Sequence, residues 1–261
     1  MRGTWIFYRK EMLEMSRSFK LLWIPVVFAI LGIMQPIISV FMPDILQMSG
    51  GVPPEMLSFY EIPTSSVVMV QVLSQYSTMG ILVLVLAGMN SVSGERYGGT
   101  AELIMVRPIS SVSIIIAKWF AQCTQLLLAF GIGYIAAFFY TYQMIGSLSW
   151  KSAVASFGLF GLWLMLGITF TLLFSTVLRG APAAFVTLTI LGLFSLLHGI
   201  LPTWFTWSPA RLTSLAAEAL IGNGLPVSTV VVCCLITVGI IILSLLSASH
   251  LLQRRELPTS N

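Results

Sequence analysis

Six apolar runs, each long enough to cross a bilayer, alternate with short polar intervals along this chain. They cover roughly residues 21–42, 66–91, 113–142, 153–178, 183–201 and 227–246. At 1.5 Å per residue the first reaches about 33 Å, enough for the hydrocarbon core. Pro25 and Pro36 fall inside it and are positions for a kink. The pattern predicts an all-α polytopic membrane protein of six transmembrane helices, forming one transmembrane domain over 1–261.

Ahead of the first run, residues 1–20 have a different period. Trp5, Tyr8, Met12, Met15 and Phe19 recur at three- and four-residue steps and form one stripe. Arg2, Arg9, Lys10, Glu11, Glu14 and Arg17 lie mostly off it. This predicts an amphipathic helix lying in the membrane interface, aromatic side down. The other reading is a cytosolic helix packed on a partner. A cleavable signal peptide is not expected, since the start is polar and the apolar run is too long.

Polar residues inside the runs are few. Gln71, Ser74, Gln75 and Thr78 form a stripe at helical spacing in the second run. Two readings compete: the stripe lines a polar pathway, or its side chains bond neighbouring helices. In the third run, Lys118 is expected to snorkel to the headgroups. Ala117, Ala121, Ala129, Gly133 and Ala137 are spaced by multiples of four, a small-residue face suited to close helix packing.

The intervals carry turn signals. Gly50, Gly51, Pro53 and Pro54 break the chain after the first run, where the charges are Asp44, Glu55 and Glu61. Arg179, Gly180 and Pro182 make a tight link between runs four and five. After run five, Trp204, Phe205 and Trp207 suit an interfacial aromatic belt. Ser208 and Pro209 then start, and Gly222 stops, a short helix with Leu212, Leu215, Ala216, Ala219 and Leu220 on one face. It is too short to span and is expected to dip into the outer leaflet.

Composition agrees. Only 8% of residues are charged and 57% are hydrophobic, against about 25% charged in soluble domains. With the N-terminus inside, eleven of the 13 Lys and Arg fall inside and only Lys151 and Arg211 outside. That bias places both termini in the cytoplasm. Cys123, Cys233 and Cys234 lie in apolar runs and read as small buried hydrophobes, not as a disulfide or zinc site. No Lys/Arg cluster with interleaved aromatics points to nucleic acid.

Several chemistries lack their residues. No run has a central Asp, Glu, Lys or Arg, which disfavours a proton- or sodium-coupled carrier. There is no HExxH, no GxSxG and no GxxxxGK[ST]. His198 and His250 lie near ends of different runs and suit interfacial structural roles. No catalytic residue, metal site or cofactor is expected on this chain, and any energy source belongs to another subunit.

The charged stretch Gly94–Pro108, GERYGGTAELIMVRP, sets the functional expectation. Gly98 and Gly99 allow a sharp turn, Thr100 can cap a short helix over 101–106, and Pro108 ends it. It carries Glu95-Arg96, Gly99-Thr100, Glu102-Leu103 and Arg107-Pro108 in order. This series resembles the first cytoplasmic loop of permease subunits of ABC-2-type exporters. The likeness extends to the interfacial helix, the six spans and the Ser-Pro-led helix before the last span. Tyr97-Gly98 departs from it, since the family often has a charged residue there.

The resemblance implies a coupling loop, with Glu95, Arg96, Gly99, Thr100, Glu102, Arg107 and Pro108 meeting a separate ABC ATPase subunit. It implies that ATP and Mg are bound by that partner, and that a second permease subunit completes the pathway as a homo- or heterodimer. The second and fifth spans would line that pathway, with Gln71, Ser74, Gln75 and Thr78 as lining residues. A bacterial plasma-membrane location, membrane lipids as partners, and export of a substrate follow as expectations. The alternatives are a non-transporting scaffold or sensor working with an ATPase, a secondary transporter, or a membrane-embedded enzyme.

Overall fold

Lipid offers no hydrogen-bond partner to a backbone, so apolar runs of this length must satisfy their amides internally as helices. A computed structural model describes residues 2–48, 60–97, 110–222 and 224–256 and is helical, with no strand among them. The elements are α1 Arg2–Arg17, α2 Lys20–Met48, α3 Ser65–Gln75, a π-helical turn Tyr76–Gly80, α4 Ile81–Gly88, α5 Ser93–Tyr97, α6 Ser111–Met144, α7 Trp150–Val177, α8 Gly180–Ile200, α9 Arg211–Ile221 and α10 Val227–Glu256. Among the described residues six segments are long and apolar enough to cross a membrane. α2 is the first, α3 to α4 the second, and α6, α7, α8 and α10 the remaining four.

The fourth span, α7, is the axis of the bundle. Two thirds of its apolar window is buried, 67%, against 28%, 28% and 22% for the first, fifth and sixth spans. Those three therefore form the periphery, and they leave many Leu, Ile, Val and Phe side chains exposed. α9 packs Leu212, Leu215, Ala216, Ala219 and Leu220 inward as its period predicts. It begins at Arg211, later than expected. Ser208 and Pro209 form a preceding turn in which Ala210 N–H donates to Ser208 Oγ at 3.3 Å. Gly222, with φ +83, ends it in the left-handed conformation a Cβ would resist.

The small-residue face of α6 works as expected. Ala117, Ala121, Ala129 and Ala137 are fully buried. At Gly133 the approach to α2 is so close that a Cβ would lie 2.5 Å from Tyr76 Oη and 2.6 Å from the Phe28 carbonyl oxygen. A Cβ on Gly32 would collide with the Gly133 carbonyl and the same hydroxyl. Tyr76 opens the π turn and donates to the Phe28 carbonyl at 2.9 Å. Its ring stacks on Phe28 at 5.1 Å and meets Phe130 edge-on at 5.7 Å. One tyrosine thus binds the first three spans together.

Three expectations need correction. α2 continues to Met48 through Pro25, Pro36 and Pro43, so Asp44 lies on a helix and not in a loop. Pro is tolerated in such helices because neighbours can satisfy the freed carbonyls. The predicted stripe of α1 does not act as one face. Met15 is buried and Tyr8 Oη lies 3.0 Å from Thr124 Oγ1 on α6, while Trp5 and Phe19 are exposed with Ile6 and Leu13. The helix turns one side to α6, and the rest of its apolar surface stays free for lipid. Lys118, third, does not snorkel and is treated below. Phe19, at φ 56, makes the abrupt turn between α1 and α2.

Candidate functional site

A buried group of charges gathers at the end of the bundle where α1 packs. Its backbone support comes from α7. Ser175 Oγ accepts from the amides of Val92 at 3.0 Å and Ser93 at 3.2 Å, so the start of α5 is pinned to the fourth span. Free amides at a helix start need such an acceptor. One turn on, Glu95 points into the bundle with 17% of its side chain exposed.

Two ammonium groups hold Glu95. Lys118 Nζ lies 2.9 Å from Glu95 Oε2 and 2.7 Å from Glu11 Oε1. Lys10 pairs with the other Glu95 oxygen and lies 3.4 Å from Glu11 and 3.7 Å from Glu14. Lys118 is only 2% exposed. α6 is about 51 Å long at 1.5 Å per residue, well beyond the hydrocarbon thickness, so its first turns lie outside the core. There α1 and α5 cover Lys118, and a buried ammonium persists only with carboxylates beside it. Burial pulls the Lys10 ammonium down, but Glu95, Glu11 and Glu14 outweigh this and hold it above the ordinary lysine range.

Glu11, Glu14 and Glu95 bring carboxylate oxygens within 4.8 Å of one another. Lys10 and Lys118 already stand among them and offset two of the three carboxylates, so the group is read as a structural knot. Sequence reasoning found Glu95 but missed Lys10, Glu11 and Lys118 as its partners. A signal existed: Glu11 lies four residues before Met15, on the buried side of α1, and Lys118 adjoins Ala117 and Ala121 on the packing face of α6.

Of the other loop residues, Arg96 lies on α5. Gly99, Thr100, Glu102, Arg107 and Pro108, with the expected helix over 101–106, lie outside the described residues.

The second predicted feature is brought together. Gln71, Ser74, Gln75 and Thr78 line one open cleft of about 550 Å³, joined by Gln35 and Ser39 of α2, which sequence reasoning missed. Gln71, Ser74 and Thr78 are exposed. Thr78 Oγ1 donates only to the carbonyls of its own helix, Ser74 and Gln75. Gln75 Nε2 reaches Met34 Sδ at 3.6 Å, and its Oε1 has no partner among the described residues. Apart from that one weak contact to α2, no member of the stripe bonds a neighbouring helix among the described residues. Gln35 and Ser39, four residues apart on α2, were the available signal. The fifth span contributes no polar face here; its exposed residues include Phe185, Leu193, Leu196 and Ile200.

Comparison with known proteins adds two findings. A family described as ABC-2 family transporter protein matches residues 5–254. A protein of Bacillus subtilis (strain 168) described as an uncharacterized transmembrane protein, YxlG, is 33% identical over 214 residues, 82% of this chain and 83% of that protein.

Proposed function

Since the chain belongs to the ABC-2 family of transporter proteins and is a multi-pass membrane component of transport, we propose that it is the permease subunit of an ATP-driven exporter. A separate ABC ATPase binds ATP and Mg and seats on the loop 94–108. Both termini face the cytoplasm of a bacterial cell, in line with eleven of 13 Lys and Arg on that side. A second permease subunit faces the cleft of Gln35, Gln71, Ser74 and Thr78, and substrate crosses between the two.

The supporting observation is the anchoring of Glu95. It is tied at once to the third span through Lys118 and to α1 through Lys10, and its helix is tied to the fourth span through Ser175. A push on the loop cannot move α5 without moving these three elements, because buried ion pairs resist separation. In this reading Glu95 is the inward anchor of the coupling loop. Arg96, Gly99, Thr100, Glu102, Arg107 and Pro108 form the surface offered to the ATPase. The chain itself performs no catalysis and binds no cofactor.

The test is recovery of the partner. The tagged chain, purified from native membranes in mild detergent, is expected to bring an ATP-hydrolysing subunit with it. Thr100→Cys is expected to cross-link to that subunit. Glu95→Gln is expected to keep the complex but lose ATP-dependent export in vesicles. Recovery without any ATPase, or labelling of Thr100→Cys from outside intact cells, would remove the reading. An ATPase complex that transports nothing in vesicles would make the chain a scaffold or sensor.

A further inference from the structure

We propose that the cavity beside the charged knot binds the zwitterionic headgroup of an aminophospholipid, a phosphoethanolamine. The cavity holds about 640 Å³, is partly open, and is bordered by α1, the start of α2, the end of α4, the start of α5 and α6. Sites for small polar ligands commonly measure about 300–1,000 Å³. It is separate from the cleft of the second span, and the inference stands whether or not the chain exports anything.

Its depth is that of headgroups. Lys20, which opens the first span, and Gly88, which closes α4, both line it. Lys20 Nζ donates to the Ala87 carbonyl at 2.9 Å, across the cavity wall.

Its wall carries polar groups that nothing among the described residues satisfies. Gln122 is 5% exposed, yet neither its Nε2 nor its Oε1 has a partner among the described residues. Gln125 is 6% exposed and its Nε2 is likewise unpartnered, as is Ser91 Oγ. All three line the cavity. A buried amide left without partners is costly, so such groups generally meet a ligand or ordered water.

The charge pattern selects the ligand. Lys10 and Lys20 line the cavity with Glu11, Glu14 and Glu95, and Lys118 stands behind Glu11 and Glu95. Three lysines against three glutamates give no net charge to favour a simple anion or cation. A zwitterion meets both signs. The Gln122 and Gln125 amide nitrogens are shut off from solvent here, and a side-chain rotation toward the cavity brings their N–H groups to phosphodiester oxygens. Glu14 is 63% exposed and only loosely paired with Lys10, so it can accept from a primary ammonium. A choline headgroup has no N–H to donate there, and a glycerol headgroup has no cation.

The test uses the full chain in micelles doped with phosphatidylethanolamine, phosphatidylcholine or phosphatidylglycerol of identical acyl chains. Retained lipid is read by native mass spectrometry. Phosphatidylethanolamine is expected to be retained about tenfold over the other two, a ratio that one or two charge-assisted hydrogen bonds can supply. Gln122→Leu is expected to abolish the preference. Should that variant fail to fold, Gln125→Leu and the wild-type preference carry the test. Competition by soluble glycerophosphoethanolamine would support the site with the headgroup alone as ligand. Resistance to it would support the site with the intact lipid as ligand. Equal retention of all three lipids, or a preference that survives in both variants, overturns the proposal and leaves the cavity to water.

Discussion

Lys118 Nζ lies 2.7 Å from Glu11 Oε1, although 107 residues separate them in the chain. This contact joins the amphipathic α1 to the third span. The same ammonium reaches Glu95 at 2.9 Å, so the helix before the charged loop shares one buried cation with the N-terminal helix.

Removing that cation should be severe. Lys118→Met leaves Glu11 and Glu95 buried with only Lys10 between them, and breaking a buried pair costs about 3–5 kcal/mol. Thermal melting of the purified chain, or its steady-state amount in membranes, is expected to fall sharply. Adding Glu11→Gln and Glu95→Gln to Lys118→Met should restore most of the loss. Glu14→Gln, by contrast, alters an exposed side chain and should shift stability by no more than about 0.5 kcal/mol.

Gly133→Ala tests the packing of the first three spans. The new methyl would press on Tyr76 Oη and the Phe28 carbonyl, and overpacking of this kind costs about 1–3 kcal/mol. Tyr76→Phe removes only the hydrogen bond to Phe28 and should cost about 1 kcal/mol. Melting curves should therefore rank Gly133→Ala at or below Tyr76→Phe, and both below wild type.

Water access separates the polar cleft from the lipid face. Single cysteines at Gln71, Ser74 and Thr78, in a background lacking Cys123, Cys233 and Cys234, are expected to react with charged thiol reagents. Cysteines at Phe185 and Leu196, exposed on the fifth span but surrounded by apolar neighbours, are expected to stay unmodified. Failure of the Gln71, Ser74 and Thr78 positions to react would show that the cleft holds no water.

The Lys10 ammonium is held above its usual value of 10.5 by Glu95, Glu11 and Glu14 acting against burial. A raised lysine contributes stability that is whole below the unfolded value and is lost as pH rises through the folded one. The melting difference between wild type and Lys10→Met should thus be constant from pH 6 to 9. It should shrink only above about 10.5.

The unbroken sequence of apolar runs was enough to establish six helices, because a bilayer leaves a long apolar segment no other way to satisfy its backbone. The small face of α6 and the apolar face of α9 were legible for the same kind of reason: each depends on a local period. The loop residues were legible as a linear series shared with a known family. What the order of residues could not show was which charges meet. Lys10, Glu11, Glu95 and Lys118 come from three separate segments, and only the packing of α1 and α5 over α6 takes them from water together. Headgroup snorkelling and burial in a salt-bridged knot look the same along the chain. The tertiary structure decides between them, because an ammonium takes whichever environment the neighbouring helices leave it.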